Sequence, residues 1–303
     1  MQRAGSLLLA ACLLGALFCG CGKRTAAEDD DRITIAVSIT PQAWLAEQLV
    51  AAETKIITLV RPGESPATYQ PTDAQVSGVM KAAVYFRIGV PFESGPWFEA
   101  IQRSEKVKVV DVRRGITLRA MDEHHEETGA GAAEDNRTDR GQGVDPHIWL
   151  SPRLLITQAR TMAETLIELD AANAAAYQRR LAELEEKLGA LDETIRRALA
   201  PIKGKTFLIY HPAWGYFADD YGLRQVAIEI EGKKPTDREL TALQRLAREE
   251  SIRVVFVQPQ ISASAADAIA RAIGGRIETI DPLAGNVEAN LLRVAEALLD
   301  SYR

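Results

Sequence analysis

Beyond residue 21 this chain has no cysteine. Its three cysteines, Cys12, Cys19 and Cys21, all stand near the start of the 303 residues. The remainder therefore has no internal disulfide and no zinc–thiolate site, and any metal it holds must be held by nitrogen and oxygen. Histidine is scarce too: His124, His125, His147 and His211 are the whole supply. Basic clusters are missing. Lys and Arg number 36 against 42 Asp and Glu, a net charge of −6, and no stretch gathers the positive charge that nucleic acid requires. There is no His-Glu-x-x-His, no Gly-x-Ser-x-Gly and no phosphate loop, so the usual sequence signs of a zinc peptidase, a serine hydrolase or an NTPase are lacking. The apolar run Leu7 to Phe18 is too short to span a bilayer comfortably.

That run has the length of a signal-peptide core, with Arg3 as its positive start. It ends in Leu17-Phe18-Cys19-Gly20-Cys21, a small residue directly before a cysteine. The pattern resembles the lipobox of bacterial lipoproteins, although Phe18 stands where an aliphatic residue is usual. The resemblance implies that residues 1–21 are a lipoprotein signal peptide ending at a lipidated Cys21. Bulky Phe18 makes Cys19 the poorer acceptor. Residues 22–32 are small, polar and charged, and predict a flexible tether. About 270 residues remain, enough for two medium lobes.

Apolar β-rich runs alternate with amphipathic ones along that remainder. Ile33–Ile39, Lys55–Val60, Ala83–Val90 and Val107–Val112 read as strands, with helices near Pro41–Ala51, Asp73–Lys81 and Ser94–Arg103. The rhythm repeats in Thr206–His211, Gln225–Ile230, Val254–Gln258 and Ile277–Asp281, with helices near Ala213–Tyr221, Asp237–Glu250, Ala263–Ile273 and Val287–Tyr302. Near-continuous apolar strands alternating with helices predict an α/β fold of parallel sheets covered on both faces. We expect an N-terminal lobe over 33–171, a linking helix over 172–200 and a C-terminal lobe over 201–303. Pro152–Asp170 is helical in pattern. So is Ala172–Leu199, where Leu181, Leu184, Leu188 and Leu191 form one apolar stripe. Its 28 residues would make a rod of roughly 40 Å. A dimerising coiled coil is the alternative, but the heptad-like pattern is too short to require it, and we expect a monomer. Asp122–Gly143, with His124, His125 and many small and acidic residues, predicts a mobile loop.

Two histidines have distinctive settings. His147 lies in Asp145-Pro146-His147-Ile148-Trp149-Leu150-Ser151-Pro152, directly before a helix. His211 ends a strand and opens His211-Pro212-Ala213-Trp214-Gly215-Tyr216-Phe217. Asp281 also ends a strand, before Pro282. In α/β sheets ligand groups collect at the carboxyl ends of strands, and imidazole with carboxylate suits zinc or manganese. Taken alone, a histidine at a strand end is more often a hydrogen-bonded structural residue, and an Asp before Pro a turn former.

From about Ile33 to Leu298 the sequence resembles the periplasmic zinc- and manganese-binding proteins of ABC importers. Asp145 to Leu150, Tyr210 to Phe217, and Val257-Gln258-Pro259-Gln260 followed by Ile280-Asp281-Pro282-Leu283 look like that family's second, third and fourth ligand motifs. The resemblance implies two α/β lobes bridged by a long helix, with the metal held in the cleft by His147, His211 and Asp281. It implies zinc, with manganese as the alternative, as transported ligand, and an ABC permease as partner. The family's first ligand is usually a histidine in a Pro-His-x-Tyr-Glu-Pro context. Here Pro66-Ala67-Thr68-Tyr69-Gln70-Pro71 stands there, as in a subgroup of the family, and the methyl of Ala67 cannot ligate. Water, His124, His125, Glu229, Glu231 and Gln70 are the candidates for the open position. The loop histidines would also suit weak capture of metal. Phe92-Glu93 with Trp97, and likewise Trp149 and Trp214, read as packing groups. A surface adhesin on the same fold is the second functional reading. A zinc-dependent hydrolase is the third, since two histidines, a carboxylate and a water also make a catalytic site. With no further catalytic motif, the expectation is not an enzyme.

Overall fold

Among the described residues, eight short strands form two parallel sheets with the same order. Strands β1 (Thr34–Val37), β2 (Lys55–Thr58), β3 (Val84–Arg87) and β4 (Lys108–Asp111) run β2-β1-β3-β4. Strands β5 (Thr206–Ile209), β6 (Arg224–Ala227), β7 (Val254–Val257) and β8 (Arg276–Thr279) run β6-β5-β7-β8. This computed structural model describes residues 33–121, 143–229, 235–260 and 263–303. The signal and tether, His124, His125 and Glu231 lie outside the described residues. Residues 122–142 of the expected loop also lie outside them; on either side of that stretch Ala120 bridges Val144 and Met121 N–H donates to the Gly143 carbonyl.

The register explains the apolar strands. Ile35 lies opposite Ile56 and Val84, and Ile209 opposite Ala227 and Phe256. β5 and β7 are buried along their whole length, so neither face has a use for polar side chains. Alternate residues serve two cores. Phe207, Ile209 and Phe256 join the larger one, which continues through Trp149, Leu188 and Leu291 to Ile35 and Phe86 of the first sheet. Leu208, Tyr210, Val255 and Val257 face the other way, with Leu243 and Ala266. The first and second sheets thus share one continuous apolar core.

Helices α1 (Thr40–Leu49), α2 (Asp73–Val79), α3 (Pro96–Gln102), α4 (Pro152–Leu169), α5 (Ala174–Leu199), α6 (Gly215–Tyr221), α7 (Asp237–Glu249), α8 (Ala263–Ala272) and α9 (Val287–Asp300) fill the connections. Their starts follow local chemistry. Thr72 with Gln75, and Thr236 with Glu239, form capping boxes. Ser151 and Asn286 accept from Leu154 N–H and Ala289 N–H. The predicted long helix is α5. Its buried stripe is Leu184, Leu188, Leu191, Ile195 and Leu199, and it packs on α1, α4 and α9. It lies along helices of both halves, as a helix joining them would.

Each sheet has a point where strand order reverses, and such points form ligand crevices at the carboxyl ends of strands. In the first sheet the protein fills that point itself. Glu93 is buried, and accepts from Ile88 N–H at 2.9 Å, Gly89 N–H at 2.7 Å and the Ser38 hydroxyl. Tyr85 donates to the same carboxylate, and its phenol is pushed well above its usual range by burial first and by Glu93 second. The structural reading of Phe92-Glu93 and Trp97 fits this packing, since Phe92 stacks on Trp97. Trp149 and Trp214 are both 1% exposed. In the second sheet the corresponding rim carries ionisable side chains of a different kind.

Candidate metal centre

The chain leaves β5 through Tyr210 to His211, while the neighbouring β6 leaves through Ile228 to Glu229. The ladder persists past both strand ends, with Ile228 N–H donating to Ile209 O at 2.8 Å and Glu229 N–H to Tyr210 O at 3.0 Å. That register sets Glu229 beside His211. Oε1 of Glu229 lies 2.6 Å from Nδ1 of His211. Glu229 is 8% exposed, whereas the His211 side chain is 27% exposed. The carboxylate thus sits behind the ring and the ring faces outward.

His147 is held by a tighter local device. Asp145 is fully buried, and its Oδ1 accepts from the backbone N–H of His147 at 2.9 Å and lies 2.8 Å from Nδ1 of the same residue. A carboxylate two residues upstream bonding to backbone N–H is an Asx turn, which Asp forms readily. The other oxygen, Oδ2, accepts from Nη1 of Arg119 at 3.1 Å. The Tyr216 hydroxyl, from α6, donates to the Asp145 carbonyl at 2.9 Å and accepts from Arg119 N–H at 3.1 Å. Gly215 makes room for this layer, because a Cβ there would collide with the Arg119 guanidinium and press on Asp145 Oδ2.

The two rings meet. Nε2 of His147 is 3.4 Å from Nε2 of His211, and the rings are inclined by 74°. When each Nδ1–H is donated to its carboxylate, both Nε2 atoms present lone pairs to each other, an arrangement that a cation between them would relieve. His147 favours that neutral state. Burial pushes its pKa below the ordinary 6.5, outweighing the upward pull of the Asp145 hydrogen bond and charge, while His211 and Arg119 add to the downward shift.

Asp281 follows β8 and is partly buried. Its Oδ1 accepts from Leu283 N–H at 2.9 Å, and its carbonyl accepts from Asn290 at 2.7 Å. It is tied toward the pair through Trp149, whose indole N–H donates to Pro282 O at 2.6 Å and whose ring lies 5.0 Å from His147. The structure brings His147 and His211 together but does not gather Asp281 with them. Among the described residues no three His, Cys, Asp or Glu side chains form a metal-holding group. Ala67 and Gln70 sit in an exposed turn between β2 and α2. Glu229, a candidate for the open position, has its Oε1 turned to Nδ1 of His211.

The sequence model of one family, described as zinc-uptake complex component A, periplasmic (ZnuA), matches residues 35–302. The chain belongs to the ZnuA family. The high-affinity zinc uptake system protein ZnuA of Bacillus subtilis is 26% identical over 289 residues, covering 93% of this chain and 88% of its own. A crystal structure of ZnuA is 34% identical with a TM-score of 0.79, covering 90% of this chain and all of that one. A ZnuA deletion mutant solved with zinc bound is 35% identical with a TM-score of 0.78, covering 89% of this chain and 98% of the other. The expected two-sheet α/β architecture with its long helix is therefore the ZnuA fold.

Within this ZnuA-family chain, Asp145, Arg119 and Tyr216 support the candidate site without having been read as ligands; Asp145 and Tyr216 lie inside the quoted motifs and Arg119 outside them. For Asp145 a signal existed, since a carboxylate two residues before a histidine is placed to bond both its backbone N–H and its ring. For the supporting roles of Arg119 and Tyr216 no local signal exists, because both meet Asp145 only through the tertiary fold.

Proposed function

We propose that this ZnuA-family protein captures zinc outside the cytoplasm and delivers it to the permease of an ABC importer, with His147 and His211 as its imidazole ligands. One observation carries the assignment: two Nε2 atoms 3.4 Å apart, each with a carboxylate on its other ring nitrogen. Zinc bonds imidazole nitrogen at about 2.0–2.1 Å, so a tetrahedral angle between two such bonds puts the nitrogens roughly 3.3–3.4 Å apart. The separation matches that requirement, and the outer carboxylates fix tautomer and ring plane as metal-bound histidines need. Asp281 is the proposed third ligand, brought in from the Trp149-anchored turn, and water completes the four. Two imidazoles favour zinc over manganese, which prefers more oxygen. A coordination position left to water suits a cargo that must later be released.

On this reading zinc is carried unchanged and no reaction is catalysed; the ZnuA family consists of uptake components, and the adhesin alternative is not favoured. The protein acts as a monomer, anchored through lipid on Cys21. Cys21→Ala should abolish incorporation of labelled fatty acid, and continued labelling would refute the anchor. For the cargo, the test is metal analysis of the purified protein followed by titration against a chromophoric chelator. The expected result is one zinc per chain, held in preference to manganese. Absence of stoichiometric zinc binding, or a preference for manganese, would overturn the assignment.

A further inference from the structure

We propose that Arg119 is a positioning residue for metal binding: by pinning Asp145 it sets the tautomer and direction of the His147 ring. The inference rests on the reading of His147 and His211 as the zinc-binding pair. Asp145 has two oxygens with separate duties. Oδ1 serves the His147 backbone and ring, at 2.9 and 2.8 Å. Oδ2 serves Arg119 Nη1 at 3.1 Å. A carboxylate held at one oxygen only can turn about its own bond, and the oxygen facing Nδ1 would then wander. The guanidinium removes that freedom. It is itself fixed from the other side, because Arg119 Nε pairs with Asp219 of α6 at 3.0 Å. Its carbon lies 5.8 Å from the Tyr216 ring centre.

The planar fork of arginine is suited to this task, since it can address two carboxylates in fixed directions at once, which a lysine ammonium does less well. The arrangement also crosses the molecule. Arg119 belongs to the segment after β4, whereas Asp219 and Tyr216 belong to the helix that follows His211. One side chain thus ties the support of the first histidine to the element that carries the second. Gly215 lies directly beneath the guanidinium, where any side chain would displace it.

The test compares the parent with Arg119→Gln, Arg119→Lys and Asp219→Asn in the full-length protein, purified in mild detergent. Zinc affinity is read by chelator competition, and the His147 tautomer by long-range proton–nitrogen NMR of the metal-free imidazoles. Arg119→Gln should weaken zinc binding by about tenfold to a hundredfold, as loss of outer-layer support does at metal sites. It should also reduce the population of the Nδ1–H form of His147. Arg119→Lys should recover part of both. Asp219→Asn alters an exposed carboxylate and keeps the test open if Arg119→Gln does not fold; it should change both readouts in the same direction by a smaller factor. Unchanged zinc affinity and tautomer in Arg119→Gln, or in Asp219→Asn where the former does not fold, would overturn the proposal while loss of binding in His147→Ala leaves the zinc pair standing. Unchanged binding in His147→Ala would instead remove the pair itself, and the proposal with it.

Discussion

At the scale of single residues, the proposed site is two histidines and the carboxylates behind them. Asp145→Asn and Glu229→Gln keep size and shape but remove the charge that prefers an Nδ1–H partner. Each should weaken zinc binding by about tenfold to a hundredfold, measured by chelator competition. Equal affinity in both variants would mean that the carboxylates do not orient the rings. A pH effect belongs here as well. Burial holds the His147 pKa below its usual value, so the unfolded chain binds a proton that the folded one resists. Stability from this group is complete above about pH 6.5 and is lost as pH falls through the lower, folded value. Metal-free protein should therefore unfold more easily on acidification below about 6.5, and His147→Gln should flatten that part of the profile in denaturant titrations. An unaltered profile would contradict the assignment. The two histidines were legible from their strand-end and pre-helix settings. Their facing Nε2 atoms were not, since 64 residues separate them and only the packed fold joins them.

At the scale of elements, the strands were readable because their burial is extreme. β5 and β7 have no solvent face, and a near-continuous apolar run suits such a strand. Their ends were harder. Tyr210-His211 and Ile228-Glu229 continue the hydrogen-bond register past the strands, and those extra residues carry half of the proposed site. The start of α5 also differs from its pattern, at Ala174 instead of Ala172. Asp170 is the cause. Its carboxylate accepts from Asn173 and from the Tyr177 hydroxyl, while its carbonyl takes Asn173 N–H. This side-chain chemistry makes a separate turn that the helix-favouring Ala171-Ala172 conceal. The buried stripe of α5 gives the element its value. Leu188 is fully buried in a helix that packs on helices of both halves, and Leu188→Ala should cost about 2–5 kcal/mol in equilibrium denaturation. A cost below about 1 kcal/mol would show that α5 is not packed as described.

At the scale of the whole molecule, the two sheets are joined by a shared core running through Ile35, Trp149, Leu188 and Phe256. A core shared by both sheets predicts one cooperative transition on heating. Two separated transitions in calorimetry would show that the halves are energetically independent. Zinc should raise the transition temperature, since free ligand at a hundred times Kd adds about 2.7 kcal/mol to the folded state. The α/β class, the repeated strand rhythm and the long helix were open to reading because they rest on periodicity. The site's supporting layer rests on contacts between distant segments, among them Arg119 with Asp219 and Tyr216 with Asp145, which no periodicity records. The central claim is that one zinc ion sits between His147 and His211. Anomalous diffraction at the zinc edge, from crystals of the zinc-loaded protein, tests it directly. The account predicts a single strong peak about 2.0–2.1 Å from Nε2 of both rings. A peak elsewhere, with the two imidazoles left facing each other and no ion between them, would contradict it.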